Sequence, residues 1–142
     1  MLLSYLLNPL ASVQASNPGQ ATTPSDQATA LLNQLTPEER VGQLFLVTFQ
    51  GTDVGNSTQI QDLIANHHIG GVILLSANNN FVYGENSLLQ ILVMNRQLQL
   101  DRWTASQQPQ VNKTTGESYL PAFLPLLIGI SQEGDGAPYD QI

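Results

Sequence analysis

Ile69-Gly70-Gly71-Val72-Ile73-Leu74-Leu75 is the stretch that decides the fold. Two glycines run into an apolar segment with no polar face, which is how a parallel strand covered on both sides reads. One glycine suits the left-handed cap of a preceding helix and the other a tight strand entry. Toward the amino terminus, Ile60, Leu63 and Ile64 recur at helical spacing after the polar run 52–57. Before them, Leu44-Phe45-Leu46-Val47-Thr48-Phe49 predicts a first strand, ended by Gln50-Gly51. Toward the carboxyl terminus, Asn78-Asn79-Asn80 marks a loop. A helix follows from about Ser87 to Leu100, with Leu88, Ile91, Leu92 and Leu98 as its buried stripe. Residues 101–122 are polar with little periodicity and read as a surface excursion, and Leu124-Pro125-Leu126-Leu127-Ile128-Gly129-Ile130 is a third buried strand.

Strands alternating with helices are the signature of parallel βαβ units, so the fold class is α/β. At 142 residues the chain suits one domain, whereas a closed barrel of eight such units takes about 250. Three strands do not close a barrel. The gene is therefore expected to continue, and the third strand to leave an open edge that makes the isolated chain unstable or aggregation-prone.

Ahead of this core, residues 1–15 resemble an export signal. Leu2-Leu3-Ser4-Tyr5-Leu6-Leu7 is a short apolar run, and Val13-Gln14-Ala15 suits cleavage after Ala15, although nothing basic precedes Arg40. The run falls short of the ~20 residues that span a bilayer, so no stable membrane insertion is expected. Residues 16–25 read as a Pro/Gly/Ser/Thr linker and 26–142 as the domain, in an exported, extracytoplasmic protein. From Asp26 a helix is expected with Ala28, Leu31, Leu32 and Leu35 on one face. Thr36-Pro37-Glu38-Glu39 is a compact helix start, with Thr36 as cap, Pro37 at the first position and Glu39 closing a capping box; Val41 and Leu44 are expected inward.

Eleven acidic residues against four basic ones give a net charge of −7. The cations Arg40, Arg96, Arg102 and Lys113 are scattered, which argues against nucleic acid and against an anionic membrane as partners. A neutral substrate such as a sugar is compatible with this balance. The absence of cysteine excludes disulfides and thiolate metal sites.

Ligands of parallel α/β folds bind where strands end at their carboxyl side, because the loops there are free to present side chains and backbone donors. Gln132, Glu133 and Asp135 follow the third strand at such a place, with Gly134 and Gly136 allowing close approach. Paired carboxylates serve acid/base work or bind sugar hydroxyls; the plainer alternative is that Glu133 braces the loop and Asp135 makes a turn. Asp53 lies at the same end, and a loop turn is its better reading. His67-His68 are adjacent on a helix end, point in different directions and do not form one metal site. A structural role near the helix carboxyl terminus fits them better. Trp103 and Tyr119 read as packing anchors of the excursion.

Three segments together resemble the amino-terminal part of glycoside hydrolase family 3: residues 35–44 (Leu-Thr-Pro-Glu-Glu-Arg-Val-Gly-Gln-Leu), 69–74 (Ile-Gly-Gly-Val-Ile-Leu) and 125–134 (Pro-Leu-Leu-Ile-Gly-Ile-Ser-Gln-Glu-Gly). The resemblance runs over about residues 31–142, with 101–122 as an insertion, and the Gln-Glu-Gly ending is similar to the β-N-acetylhexosaminidase branch. It implies the amino-terminal three strand–helix units of a (β/α)8 barrel, a carbohydrate substrate and a retaining mechanism through an aspartate nucleophile, with no metal or organic cofactor. It also implies sugar contacts from Ser131, Gln132, Glu133 and Asp135. The family's nucleophile and its Lys-His segment fall beyond residue 142, so no catalytic residue is assigned here, and the isolated chain is expected to be inactive. The family pattern has Asp where this chain has Ser131, and Gly where it has Asp135. That departure leaves a non-catalytic carbohydrate-binding protein on the same scaffold as the alternative, and an unrelated α/β extracellular binding domain as a third reading. Oligomeric state, sugar and linkage are not legible.

Overall fold

The computed structural model describes residues 23–82 and 84–131. The expected signal at 1–15 and the linker up to residue 22 lie outside the described residues. The linker reading fails at its end. Thr23 caps α1 (Pro24–Gln34), its hydroxyl accepting the Asp26 N–H at 3.2 Å while Asp26 accepts the Thr23 N–H at 3.1 Å. This second Thr-to-acid capping box draws Pro24 and Ser25 into the helix. No residue of α1 is buried; Leu32 is half-exposed, and only its cap Leu35 goes inside.

α2 (Pro37–Gly42) has the expected capping box, with Thr36 N–H donating to Glu39 Oε2 at 2.8 Å and Glu39 N–H to the Thr36 hydroxyl at 3.2 Å. Its inward face is not the expected one. Glu39 and Gly42 are buried, while Val41 and Leu44 are 56% and 81% exposed. The cause is spacing: Glu39 also accepts the Ala122 N–H at 3.0 Å, and Gly42 faces the His67 and His68 carbonyls too closely for any Cβ. A helix cannot turn both faces inward, and Val41 and Leu44 lie on the other one.

β1 (Leu46–Val47), α3 (Gln59–Asn66), β2 (Gly71–Leu74), a 3₁₀ turn (Ser76–Asn78) and α4 (Ser87–Ser106) follow. Then come a hairpin of β3 (Gln110–Val111) and β4 (Ser118–Tyr119), and finally β5 (Leu127–Ile130). β1, β2 and β5 form a parallel three-stranded sheet in that order, with Leu46, Gly71 and Leu127 in one row. The mixed α/β class with a small parallel sheet is as expected, though β1 is only two residues long. α4 runs on to Ser106 where a polar excursion was expected, burying Ile91, Met94, Leu98, Arg102 and Ser106 and leaving Leu88 and Leu92 exposed. Hydropathy hid this because the true stripe continues through an arginine.

The two faces of the sheet differ. On one, Val72 and Leu74 are fully buried against Ile60, Ile64 and Leu98, with Val47, Phe49, Ile128 and Ile130 packed alongside. Each fully buried aliphatic chain contributes about 1.5–3 kcal/mol. On the other, Leu46 and Leu127 are 56% and 68% exposed and converge over Gly71, where an added Cβ would lie 2.7 Å from Leu46 Cδ2 and 2.8 Å from Leu127 Cβ. In the Ile73 row the order inverts, the side chain of β2 lying beside Gly129 of β5. The glycine pair therefore does not supply a left-handed cap. His68, at φ 53°, takes that conformation, while Gly70 and Gly71 let Gln43 and the two leucines approach.

Candidate site at the carboxyl ends of the strands

The loops leaving β1 and β2 are tied together by carboxamides. Asn80, 1% exposed, donates from Nδ2 to the carbonyls of Phe49 (3.1 Å) and Gly51 (2.7 Å) and accepts the Leu75 N–H at 2.9 Å. Gln50 Nε2 donates to Asn78 Oδ1 at 3.0 Å, and Gly51 N–H to the Asn78 carbonyl at 2.7 Å. The left-handed Asn79 (φ 56°) turns the chain between these two anchors. The asparagine run is therefore a scaffold as well as a loop. Its signal in the sequence was three such residues within a few positions of a buried strand's end.

Beside this tie lies a cleft of about 500 Å³ lined by Thr48, Phe49, Gln50, Asp53, Thr58 and Asn78. Hydroxyls, carboxamides and one carboxylate can exchange hydrogen bonds with a neutral polyol at such a rim. Asp53 Oδ1 accepts the Gly55 N–H at 2.9 Å, the turn role anticipated for it. A second cleft of about 530 Å³ shares Asp53 with the first and is lined also by Asn80, Asn86, Leu89, Val93 and Met94 among others.

Ser131 stands at the end of β5, half-buried, its N–H donating to the Leu74 carbonyl at 3.2 Å. Strand alternation puts it in line with the exposed Leu127 and Gly129, on the open face of the sheet. It lines neither of the clefts above. Gln132, Glu133 and Asp135 lie outside the described residues.

The amino end of the sheet holds a different cluster. Arg102, 1% exposed, donates from Nε to the Leu124 carbonyl (3.0 Å) and from Nη1 to the Ile64 carbonyl (3.3 Å). Glu39 is fully buried beside it, and burial pushes the Arg102 pKa down while Glu39 raises it. His68 is buried too, and desolvation lowers its pKa despite the facing Glu39. His67 is exposed and 3.6 Å from Asp62. These are structural placements, as expected for the histidine pair. Trp103 packs edge-on against Phe123 with ring centres 5.1 Å apart, which bears out its anchoring role. Among the described residues no group of three or more His, Cys, Asp or Glu could hold a metal ion, and no helix is long and apolar enough to cross a membrane.

No family model matches the chain, and no curated protein matches it. Among solved structures it is similar to a glycoside hydrolase family 3 β-N-acetylglucosaminidase from Paenibacillus sp. str. FPU-7, at 26% identity and a TM-score of 0.50 over 70% of this chain. The chain spans only 14% of that protein. It is also similar to a fungal multi-domain GH3 β-N-acetylglucosaminidase, at 26% identity and a TM-score of 0.47, covering 69% of this chain and 9% of that one. The resemblance read from three short segments thus holds at the level of structure.

Proposed function

We propose that this chain is the first three strand–helix units of the (β/α)8 catalytic barrel of an exported glycoside hydrolase. In the complete protein that enzyme removes terminal N-acetylhexosamine residues by a retaining mechanism. The observation that carries the reading is the structural likeness to the Paenibacillus enzyme over 70% of the chain. The open face adds physical support. Leu46 and Leu127 meet over Gly71, and Ile73 fills the next row beside Gly129. Side chains contributed by alternate strands, layer by layer, are how a barrel interior packs. Export rests on the apolar run and Val13-Gln14-Ala15 alone.

In this reading Ser131 is a sugar-contacting group at the strand end, with Gln132, Glu133 and Asp135 following it toward the same rim. Nucleophile and general acid come from elsewhere in the barrel. A retaining enzyme forms a glycosyl ester on a carboxylate while an acid protonates the leaving oxygen; water then displaces the carboxylate from the sugar, giving its proton to the group that had acted as acid. A second reading is favoured by one residue: Ser131 offers a neutral hydroxyl where the related pattern has a carboxylate, which suits a carbohydrate-binding protein without turnover.

Release of nitrophenol from nitrophenyl N-acetyl-β-glucosaminide separates the two. The complete protein is expected to release it, the 142-residue chain not at all. Ser131→Asp in the complete protein is expected to lower KM. Binding of the sugar without release supports the second reading, and hydrolysis by the short chain alone overturns the first.

A further inference from the structure

α4 is apolar on two opposite sides. Ile91, Met94, Leu98 and Arg102 form its buried stripe, and at about 3.6 residues per turn Leu89, Val93, Leu100 and Trp103 fall half a turn away. Those four are exposed, and so is Arg96 among them. A helix laid on a sheet ordinarily turns a polar face to water. Completing a barrel does not cover this side. Helices of a barrel's outer ring meet flank to flank, so α3 takes one flank of α4 and the next helix would take the other. The second stripe points outward, away from both.

The order of that stripe says what fits it. Leu89, Val93, Arg96, Leu100 and Trp103 step by four, three, four and three residues. This is the spacing of a seam that receives a second helix by knobs-into-holes packing. So short a seam suits one short helix rather than a long coiled coil. Leu89 and Val93 also line the cleft of about 530 Å³, which gives the seam a hollow at its first turns.

Arg96 stands in the middle of the seam and makes no hydrogen bond or ion pair among the described residues. Covering it calls for a carboxylate, because an unpaired guanidinium is costly to bury. A second copy of α4 does not supply one. The residues flanking the seam are Gln90, Leu92, Gln97, Gln99 and Thr104, none of them acidic. A different helix is required. The chain spans 14% of the Paenibacillus enzyme, whereas three of eight units make up roughly a third of a barrel. A polypeptide of that length holds far more than its barrel, and so has helices to offer.

Resting on the reading of this chain as the start of such a barrel, we propose that the outward stripe of α4 docks an amphipathic helix of the same polypeptide beyond residue 142, which sets an Asp or Glu against Arg96. α4 begins just after β2, at the carboxyl ends of the strands, so the docked helix holds its own part of the protein beside the candidate rim.

Hydroxyl-radical footprinting of the complete protein, read by mass spectrometry, tests this. Oxidation of Leu89, Val93 and Leu100 is expected to be at least about fivefold lower than in the urea-unfolded protein, as in the packed core of an interface. Arg96→Glu is expected to restore most of it while Ile91 and Leu98 stay protected, and Arg96→Lys to keep the protection. Oxidation near half the unfolded rate, in line with the present exposure of these residues, overturns the proposal. So does protection that survives Arg96→Glu, or protection that is lost on dilution and so belongs to a second copy. Should Arg96→Glu not fold, Arg96→Gln must raise Leu100 oxidation with Ile91 and Leu98 unchanged; no rise overturns the docking. Nitrophenol release by the same protein keeps the two readings apart. Activity with an open stripe defeats the docking alone, and a covered stripe without activity defeats the hydrolase reading and leaves the docking standing.

Discussion

The two ends of the sheet are joined by opposite chemistries. At the carboxyl end, Asn80, Asn78 and Gln50 tie the loops with neutral carboxamides, and the cleft beside them stays open. At the amino end, Glu39 and Arg102 do the tying as buried charges beneath a hairpin. Neutral ties cost little to desolvate and leave a rim without fixed ion pairs, free to exchange its hydrogen bonds with a ligand. Charged ties cost much to bury, and losing one partner is correspondingly severe. A recognition surface belongs with the first and a structural floor with the second, the division of labour described for parallel barrels.

Breaking the floor is expected to have the largest effect. Arg102→Met keeps the volume but leaves the Ile64 and Leu124 carbonyls without donors and Glu39 without its neighbouring cation. A loss of about 2–4 kcal/mol is expected, the cost of two enclosed carbonyls left without a donor. Urea unfolding followed through the fluorescence of Trp103 measures it, in sucrose to offset the open sheet edges. A loss under about 1 kcal/mol would show that the amino end does not depend on charge.

Breaking the rim comes next. Asn80→Ala orphans the Leu75 N–H and the Phe49 and Gly51 carbonyls at a site 1% exposed. One to three kcal/mol is the cost of about one such orphan, and water admitted from the adjacent cleft is expected to keep the total near the upper end of that range. No titratable group takes part, so the loss is expected to be the same at pH 5 and pH 7.5. Burial holds the His68 pKa below its ordinary 6.5, so its contribution weakens as pH falls below that value, and the loss from His68→Gln is expected to be smaller at pH 5. This contrast in pH response separates the two ends better than either magnitude.

How much of this was legible in the sequence depends on how local the cause is. The Thr36–Glu39 capping box and the β2 run were readable because their partners lie within a few residues. Thr23–Asp26 was equally local but was hidden inside a stretch classed by composition as linker. Val41 and Leu44 were misplaced because helical spacing shows that a helix has two faces without saying which faces the core; Ala122, far away in sequence, decides that through Glu39. Arg102 was lost among polar residues, since its burial depends on carbonyls of α3 and of the segment before β5. The end of β5 at Ser131 was legible because strand ends are predictable from pattern, whereas the Asn80 tie needs two loops brought together. The row of Leu46, Gly71 and Leu127 needed the register, which single strands do not carry.

The smallest expected effect sharpens the contrast by showing that charge at the amino end is not uniformly useful. Asp101 precedes Arg102 on α4, and its Oδ1 accepts from Gln97 Nε2 at 2.8 Å, while its Oδ2 is buried without a partner. Burial pushes its carboxyl pKa up, only partly offset by Gln97. A carboxylate whose folded pKa is raised is penalised wherever it is ionised. The penalty is present above the folded pKa and relieved as pH falls through it, the reverse of a paired carboxylate. Asp101→Asn removes the charge and keeps an oxygen for Gln97, so it is expected to stabilise the chain slightly at pH 7 and to lose that advantage near pH 3.5. A destabilised variant at pH 7 would mean that Oδ2 makes a bond in solution, and that the amino end draws on the half-buried Asp101 as well as on Glu39 and Arg102.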